Sequence, residues 1–365
     1  MKKLLYILPE YDEKAHTHFS YLPPFIDALG KHLDITLIVE RGRKPKLENV
    51  KRVLLMRPRI FRFIFLPLSI LGARLRGATV CYVHYSFGAA FIASLIFRLS
   101  GGTVYYWNCG LPWQYSRTLE RSLFEALVYQ MVNYVVTGTE KLADHYAEEY
   151  NLRRAKVLVM PNWIELKSAD AIRASADRSA FRKMLGVYEE QKVILFAHRL
   201  SERKGAHYLI DIAKKIPDNA ILVVLGEGPL MPKLMHEAKN GKLHSKIRFF
   251  GWKPHDEVMQ AIAASDMFIM PSDEEGFPHV LLETMALKIP FVAFAVGGVP
   301  EIVPPGLKHA LVDKGNVDEF VRAIAMVLLT SRTEIELKTT ETRKWMEQYD
   351  RGVVLKRFLK MTSLS

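Results

Sequence analysis

The sequence predicts an α/β protein of two doubly wound domains, each built on a parallel sheet with helices on both faces. Apolar runs of strand length alternate with longer helical patterns through both halves of the chain, and this alternation is typical of parallel sheets. A polar passage rich in Ala, Ser and Arg separates the two series between residues 164 and 190. The length of 365 residues also exceeds what one ordinary core organises.

The first series contains seven segments that we predict to be strands. Each is a short run rich in apolar, β-branched or aromatic residues. They are KLLYILP, DITLIVE, VKRVLLMR, TVCYVHY, TVYYWNC, NYVVTGT and KVLVMPN. Helical patterns between them include YLPPFIDALGKHL, AAFIASLIFRLS, RSLFEALVYQMV and EKLADHYAEEY.

The second series contains five predicted strands. They are KVILFAH, AILVVLGEG, KIRFFGW, DMFIMPS and PFVAFAV. Helices are predicted at GAHYLIDIAKKI, at DEVMQAIAAS and around Glu283. We place the domain boundary at residue 165, with a second domain over 166–340 and a helical tail over 341–365.

The composition excludes several classes of protein. Two cysteines, Cys81 and Cys109, are too few for a disulfide framework and lack zinc spacing, so a reducing compartment is predicted. The apolar part of MKKLLYILPEYD is too short for a secretion signal and fits a first strand.

The net charge of +12 is concentrated in one segment. Residues 41–76 hold eleven Lys or Arg and one acid, Glu48, and the arginines there alternate with bulky apolar residues. The apolar part, about 63–73, is shorter than the roughly 20 residues of a membrane-spanning helix. It fits a segment lying on an anionic membrane, and the alternative is a helix packed on its own sheet. Nucleic acid is not expected, because no binding motif accompanies the charge.

Unusual residues follow four strands of the second series. Arg199 and Lys204 follow the first, Gly226 the second, and Glu275 and Gly297 the last two. The carboxyl ends of parallel strands share one edge of a sheet, where ligands bind. Cations and glycine-bearing loops suit phosphate, whereas carboxylates suit hydroxyl groups. The pattern therefore predicts a site for a nucleotide carrying a sugar.

The stretch EEGFPHVLLE refines this prediction. Pro278 suits the first turn of a helix, whose free N–H groups form an anion site. Glu275 then lies at the mouth of the loop, and Glu283 lies about one turn inside the helix. Taken singly, each carboxylate could equally be a partner of the helix dipole.

At these residues the chain resembles the retaining GT-B glycosyltransferases of family 4, the glycogen-synthase-like superfamily. The motifs in family order are RLSERKG, GEGP, FFGWKP, PSDEEGFP and VGGVPEIV, and they cover most of the second domain. The resemblance implies the GT-B fold, two Rossmann-like domains facing a central cleft. It also implies that the first domain binds the acceptor and that the tail at 341–365 crosses back onto it.

The resemblance further implies a role for each matching residue. Arg199 and Lys204 would hold the donor diphosphate, Glu275 hydroxyls of the transferred sugar, and Glu283 the ribose hydroxyls. The remaining implied donor contacts are Gly226, Trp252, Lys253, Gly276, Phe277 and Pro278. The family retains anomeric configuration, and the donor phosphate takes the acceptor's proton. No Asp-x-Asp motif is present, which agrees with transfer without a metal or other cofactor.

The first domain departs from the family pattern. The loop PEYDEKAHTHFSY lacks the glycine pair expected after the first strand. His16 and His18 could contact phosphate or acceptor instead, and the alternative is that they are surface histidines of a polar loop. Asn108 stands near where the family carries a histidine, and it could donate a hydrogen bond to the sugar. His84 ends another strand and is predicted to line the cleft.

The resemblance therefore implies a retaining hexosyltransferase that uses a UDP- or GDP-linked sugar. Its expected acceptor is a glycan or a lipid-linked glycan in cell-envelope or surface polysaccharide synthesis. The expected location is the cytoplasm, peripheral on the inner face of the cytoplasmic membrane. The alternatives are a non-catalytic nucleotide-sugar-binding protein and a nucleotide-sugar epimerase.

Overall fold

A computed structural model describes residues 1–12, 21–56, 62–330 and 341–364, and the chain divides into two compact units. The first unit comprises Met1–Pro161 and Gly352–Ser365, and the second comprises Asn162–Arg351. The division thus falls at 161/162, where the sequence predicts 165/166. The chain returns to the first unit at residue 352, where the sequence predicts 341.

The first unit is built on a seven-stranded parallel sheet, and all seven predicted strands are present. The strand order is β3-β2-β1-β4-β5-β6-β7. The strands are β1 (Lys3–Leu8), β2 (Asp34–Val39), β3 (Arg52–Leu55), β4 (Val80–His84), β5 (Thr103–Trp107), β6 (Tyr134–Thr137) and β7 (Val157–Val159).

Five crossover helices connect these strands. They are α1 (Leu22–Gly30), α2 (Arg62–Leu75), α3 (Phe87–Leu99), α4 (Leu119–Met131) and α5 (Glu140–Glu149). Three of them begin after a Ser or Thr whose hydroxyl accepts a first-turn N–H: Ser86 for α3, Thr118 for α4 and Thr139 for α5. Such caps fix where a helix starts.

The second unit is built on a six-stranded parallel sheet of order β10-β9-β8-β11-β12-β13. Its strands are β8 (Lys192–Ala197), β9 (Ala220–Leu225), β10 (Ile247–Phe249), β11 (Met267–Met270), β12 (Phe291–Phe294) and β13 (Leu311–Val312). The five predicted strands are confirmed. The sixth, β13, is only two residues long, too short to leave an apolar pattern.

The helices of this unit include α6 (Leu166–Ser175), α7 (Arg178–Leu185), α8 (Leu209–Lys215), α9 (Met231–Asn240), α10 (His255–Ala264), α11 (His279–Ala286), α12 (Val299–Ile302) and α13 (Val317–Leu329). Two of them, α6 and α7, occupy the passage that the sequence analysis treats only as a polar separator. Each buries just two residues, so its apolar stripe is narrow.

The second sheet reverses its direction of winding beside β8. The chain proceeds from β8 outward to β9 and β10, and then crosses back to β11 on the other side of β8. The loops that follow β8 and β11 therefore flank a topological switch point. Open α/β sheets bind ligands at such a point.

The last helix, α14 (Arg351–Met361), packs on the first sheet. The ring of Phe358 lies 4.9 Å from that of Tyr82, and Tyr105 donates a hydrogen bond to the Met361 carbonyl at 3.1 Å. These contacts explain why the chain's end belongs to the first unit. In the segments that the structure describes, no helix has the length and apolar character needed to cross a bilayer.

A buried ion pair anchors α7 to the second sheet. Arg182 is 2 % exposed and donates to Asp266 Oδ2 at 3.0 Å and to the Gln191 carbonyl at 2.7 Å. Asp266 also accepts from the backbone N–H of Val193 at the start of β8, and from the exposed Arg178. One carboxylate thus joins a helix, a strand and a loop.

We expect Arg182→Ala to destabilise the second unit by about 3 kcal/mol, because it leaves Asp266 buried with less compensation. The matched control is Arg178→Ala, which removes an exposed cation from the same carboxylate and should cost about 1 kcal/mol or less. Urea unfolding of both variants measures the difference. Equal losses would show that burial of Arg182 does not decide its contribution.

Candidate nucleotide-sugar site

The loops after β8 and β11 are joined by an ion pair between two residues that the sequence singles out. Lys204 Nζ lies 2.7 Å from Glu275 Oε1, and both side chains are largely buried. His198 Nε2 lies 3.6 Å from the same oxygen. Burial alone would raise the pKa of Glu275, but Lys204 and His198 outweigh it and lower that pKa. The carboxylate is therefore ionised at neutral pH.

Glycines let these loops approach backbone to backbone. Gly205, at φ +67°, would place a Cβ 1.6 Å from the Pro271 carbonyl oxygen. Gly297, at φ +51°, would place one 1.8 Å from the Glu275 carbonyl oxygen, which accepts the Gly298 N–H at 3.1 Å. A side chain at either position would separate the loops. Gly205 thus lets the β8 loop reach the β11 loop, where Lys204 meets Glu275, and Gly297 lets the β12 loop pack against the Glu275 backbone.

Arg199 lies at the same edge of the sheet, but its contacts differ from those of Lys204. It directly follows His198 and is exposed, and within the described residues its guanidinium makes no ion pair or hydrogen bond. Lys204 is occupied by Glu275, whereas Arg199 is available to an anion from solvent. Of the two cations that the sequence singles out in this loop, Lys204 is thus paired and Arg199 is open.

Glu283 lies on α11 and is buried between two histidines. His255 Nε2, from the start of α10, lies 2.7 Å from Glu283 Oε1, and His279 Nδ1 lies 3.8 Å from it. Burial would raise the pKa of Glu283, but hydrogen bonds from His255 and His279 lower it to about 2. The hydrogen bond to Glu283 raises the pKa of His255.

Sequence reasoning missed both histidines. The sequence spacing could have indicated His279, because this residue lies four positions before Glu283 on one helix and residues so spaced are neighbours. His255 comes from a different helix, and no spacing signals the pair.

The other predicted donor contacts surround this edge. Phe277 is buried, and its carbonyl accepts from Asn162 Nδ2 at 3.1 Å, while Gly276 beside it is half-buried. Pro278 is the N-cap, so α11 begins one residue later than the sequence indicates. Gly226 donates its N–H to the Gly251 carbonyl at 2.7 Å.

The loop after β10 carries the two residues that the resemblance places beside the base. Trp252 is exposed, and its backbone N–H lies 3.4 Å from Glu227 Oε1. Lys253 Nζ lies 3.5 Å from Glu257. Within the described residues, no group of three or more His, Cys, Asp or Glu side chains could hold a metal ion.

The predicted site residues of the first unit that the structure describes, Asn108 and His84, are buried and bonded to other residues of that unit. Asn108 is buried, donating to Tyr129 Oη at 2.9 Å and accepting from the Gly110 N–H at 2.9 Å, so both of its polar atoms have internal partners. His84 is buried against Tyr6, with 2.6 Å between Nε2 and Oη, and burial lowers its pKa to about 3. His16 and His18 lie outside the described residues.

The His255–Glu283 pair predicts a pH-dependent stability. The Glu283 contribution is present above its ordinary pKa of 4.5 and is lost as pH falls toward 2. The His255 contribution is present below its ordinary pKa of 6.5 and is lost as pH rises through its raised value. The pair should therefore stabilise the fold most between pH 4.5 and 6.5.

We expect His255→Gln to lower the melting temperature of the second unit by about 2 °C at pH 5.5 and by less at pH 9. More than half of the His255 side chain is exposed, so its ion pair with Glu283 contributes at most about 1 kcal/mol to the free energy of unfolding. The control is His236→Gln, whose histidine bonds the uncharged Asn240. Thermal unfolding at both pH values tests this, and a shift that does not change with pH would contradict it.

Curated relatives match a little more than half of the chain. An uncharacterized glycosyltransferase of Methanocaldococcus jannaschii is 31 % identical over 196 residues, which are 53 % of this chain and 50 % of that protein. The D-inositol 3-phosphate glycosyltransferase of Mycolicibacterium smegmatis is 26 % identical over 212 residues, 57 % of this chain and 48 % of that protein. The chain thus spans about half the length of the curated relatives it matches.

Among solved structures, HepE of Anabaena in complex with UDP superposes with a TM-score of 0.81 over 100 % of both chains at 16 % identity. HepE has also been solved with UDP-glucose. This likeness confirms the fold that the sequence predicts, GT-B with two Rossmann-like units. Residues 177–350 match the family described as glycosyl transferases group 1. This match covers just under half of the chain and lies within the second unit.

Proposed function

We propose that the protein is a retaining glycosyltransferase that transfers a hexose from a UDP- or GDP-linked sugar to a glycan or lipid-linked acceptor. The observation that carries this proposal is the Lys204–Glu275 pair at the switch point of the second sheet. The pair places a cation, which can bind a diphosphate, beside a carboxylate, which can accept hydrogen bonds from sugar hydroxyls. A sugar linked to a diphosphate needs both.

The donor diphosphate would bind Arg199 and Lys204. An ammonium group has three donors, and Glu275 takes one from Lys204, so the others remain for phosphate oxygens. Arg199 is exposed and can offer paired N–H groups to the same oxygens. Negative charge grows on the diphosphate as the sugar leaves, and fixed cations stabilise it there. These two side chains would do so without a metal ion.

The carboxylates would hold hydroxyl groups. Glu275 accepts one hydrogen bond from Lys204 and has further acceptor capacity for hydroxyls of the transferred sugar. Glu283 is kept ionised by His255 and His279 and would accept from the ribose. Both remain acceptors at neutral pH, which a hydroxyl donor requires. Retention would follow if the donor phosphate takes the acceptor's proton on the face that the leaving group vacates.

We also propose that the acceptor belongs to cell-envelope or surface polysaccharide synthesis. Residues 41–76 carry ten excess positive charges, and α2 within them exposes phenylalanine, isoleucine and leucine. We propose that this segment holds the protein on the inner face of the cytoplasmic membrane, where a lipid-linked acceptor would be met.

Calorimetric titration with UDP and GDP tests the donor site. We expect micromolar binding of one nucleotide, weakened roughly 10- to 100-fold in Arg199→Ala, because a charge-assisted contact to phosphate is lost. The matched control is Arg203→Ala in the same loop, since Arg203 is paired with Glu274 at 3.1 Å. The control should stay within about twofold of wild type.

Two outcomes would contradict the proposal. Binding unaffected by Arg199→Ala would mean that the phosphates bind elsewhere. Equal losses in both variants would mean that the loop contributes only general positive charge.

A further inference from the structure

We propose that α2, α3 and α4 together form one apolar, arginine-bordered surface that inserts into the headgroup layer of an anionic membrane. This deepens the membrane contact in the proposed function, on which it rests in part. The contact then extends well beyond residues 41–76 and includes α3 and α4, for which the sequence predicts only helical structure.

The three helices are neighbours on one face of the first sheet. Helix α3 packs against both α2 and α4. Arg74 of α2 donates to Ser100 Oγ at the end of α3 at 2.8 Å. The rings of Phe91 on α3 and Phe124 on α4 are 5.5 Å apart. The outer sides of the helices are therefore continuous.

These outer sides are unusually apolar. The three helices carry twelve of the twenty large apolar side chains that are exposed in the described parts of the chain. They are Phe63, Ile64, Phe65, Leu68, Leu71 and Leu75 on α2, Leu95 and Leu99 on α3, and Leu119, Leu123, Phe124 and Leu127 on α4. Exposure reaches 80 % at Phe63 and 89 % at Leu99. A contiguous apolar patch of this extent marks an interaction site.

The spacing of these residues produces stripes. Leu119, Leu123 and Leu127 recur every four residues on α4, and α2 repeats the pattern at Ile64, Leu68, Leu71 and Leu75. Helices of this kind lie in the plane of an interface with the stripe turned to the acyl chains.

Positive charge borders the apolar surface. Arg76, Arg98 and Arg121 are exposed at the end of α2, the end of α3 and the start of α4. Beyond the end of α2, Lys3, Arg52 and Arg76 line a cavity of about 270 Å³ that also contains Asp34. In a membrane the phosphate headgroups lie above the hydrocarbon, so the arginines can contact phosphate while the neighbouring apolar side chains contact hydrocarbon.

The charge favours a membrane over a second copy of this chain. A twofold contact between two such surfaces would set arginines of one copy near arginines of the other, and like charges oppose association. An anionic bilayer offers hydrocarbon to the leucines and phosphate to the arginines at the same time.

Flotation with vesicles of phosphatidylcholine containing 30 % phosphatidylglycerol tests the surface. We expect wild-type protein to float, and to float much less with pure phosphatidylcholine. Leu68→Ser on α2 and Leu123→Ser on α4 should each weaken binding about fivefold or more, because each removes a side chain from hydrocarbon. The control is Met326→Ser, an exposed apolar residue on α13 of the second unit. It should bind as wild type.

Leu123→Ser decides between this surface and a contact confined to residues 41–76. Wild-type binding by that variant would overturn the proposal, as would equal binding of wild type to both vesicle compositions. Sedimentation showing a wild-type dimer that Leu123→Ser dissociates would also overturn it, in favour of a second copy. Nucleotide titration of each variant separates the two proposals, because the donor site can be intact when vesicle binding fails.

Discussion

The 2.7 Å contact between Lys204 and Glu275 is the interaction around which the second unit's functional edge is organised. It requires the β8 and β11 loops to meet, and they meet because the sheet reverses its winding between those strands. It also requires glycine at positions 205 and 297, where backbone from one loop approaches the carbonyl oxygen of another. A buried carboxylate would be costly by itself, and the lysine keeps it ionised. Topology, glycine placement and charge thus converge on one pair of side chains.

The two carboxylates of the stretch EEGFPHVLLE are stabilised in different ways. Glu275 is paired with a lysine of a neighbouring loop, whereas Glu283 is paired with imidazoles from two helices. An ammonium stays charged over the whole physiological range, but an imidazole loses its proton within or near it. The Glu283 environment is therefore the more responsive to pH. The open guanidinium of Arg199 complements both, since it remains available to an anionic ligand.

The sequence predicted the fold well because the strands of both units are buried, apolar and bounded by turns. It predicted Lys204 and Glu275 at one edge because parallel strands end together there. It could not predict that they form an ion pair, or that His255 meets Glu283, since both depend on how separate loops and helices pack. It missed β13 and underrated α6 and α7, whose apolar patterns are short or narrow. The apolar face on α3 and α4 escaped notice for a related reason: an exposed leucine and a buried leucine read alike in a sequence.

Turnover of the donor measures the central claim most directly. Wild-type protein incubated with a sugar linked to the nucleotide it binds should release that sugar slowly into water, with its anomeric configuration retained. Glu275→Gln should lower this rate by about a hundredfold, because the substitution weakens both the ion pair with Lys204 and the hydrogen bond to the sugar. Nucleotide binding with no sugar release from any UDP- or GDP-linked hexose would contradict the account and identify a binding protein without transferase activity.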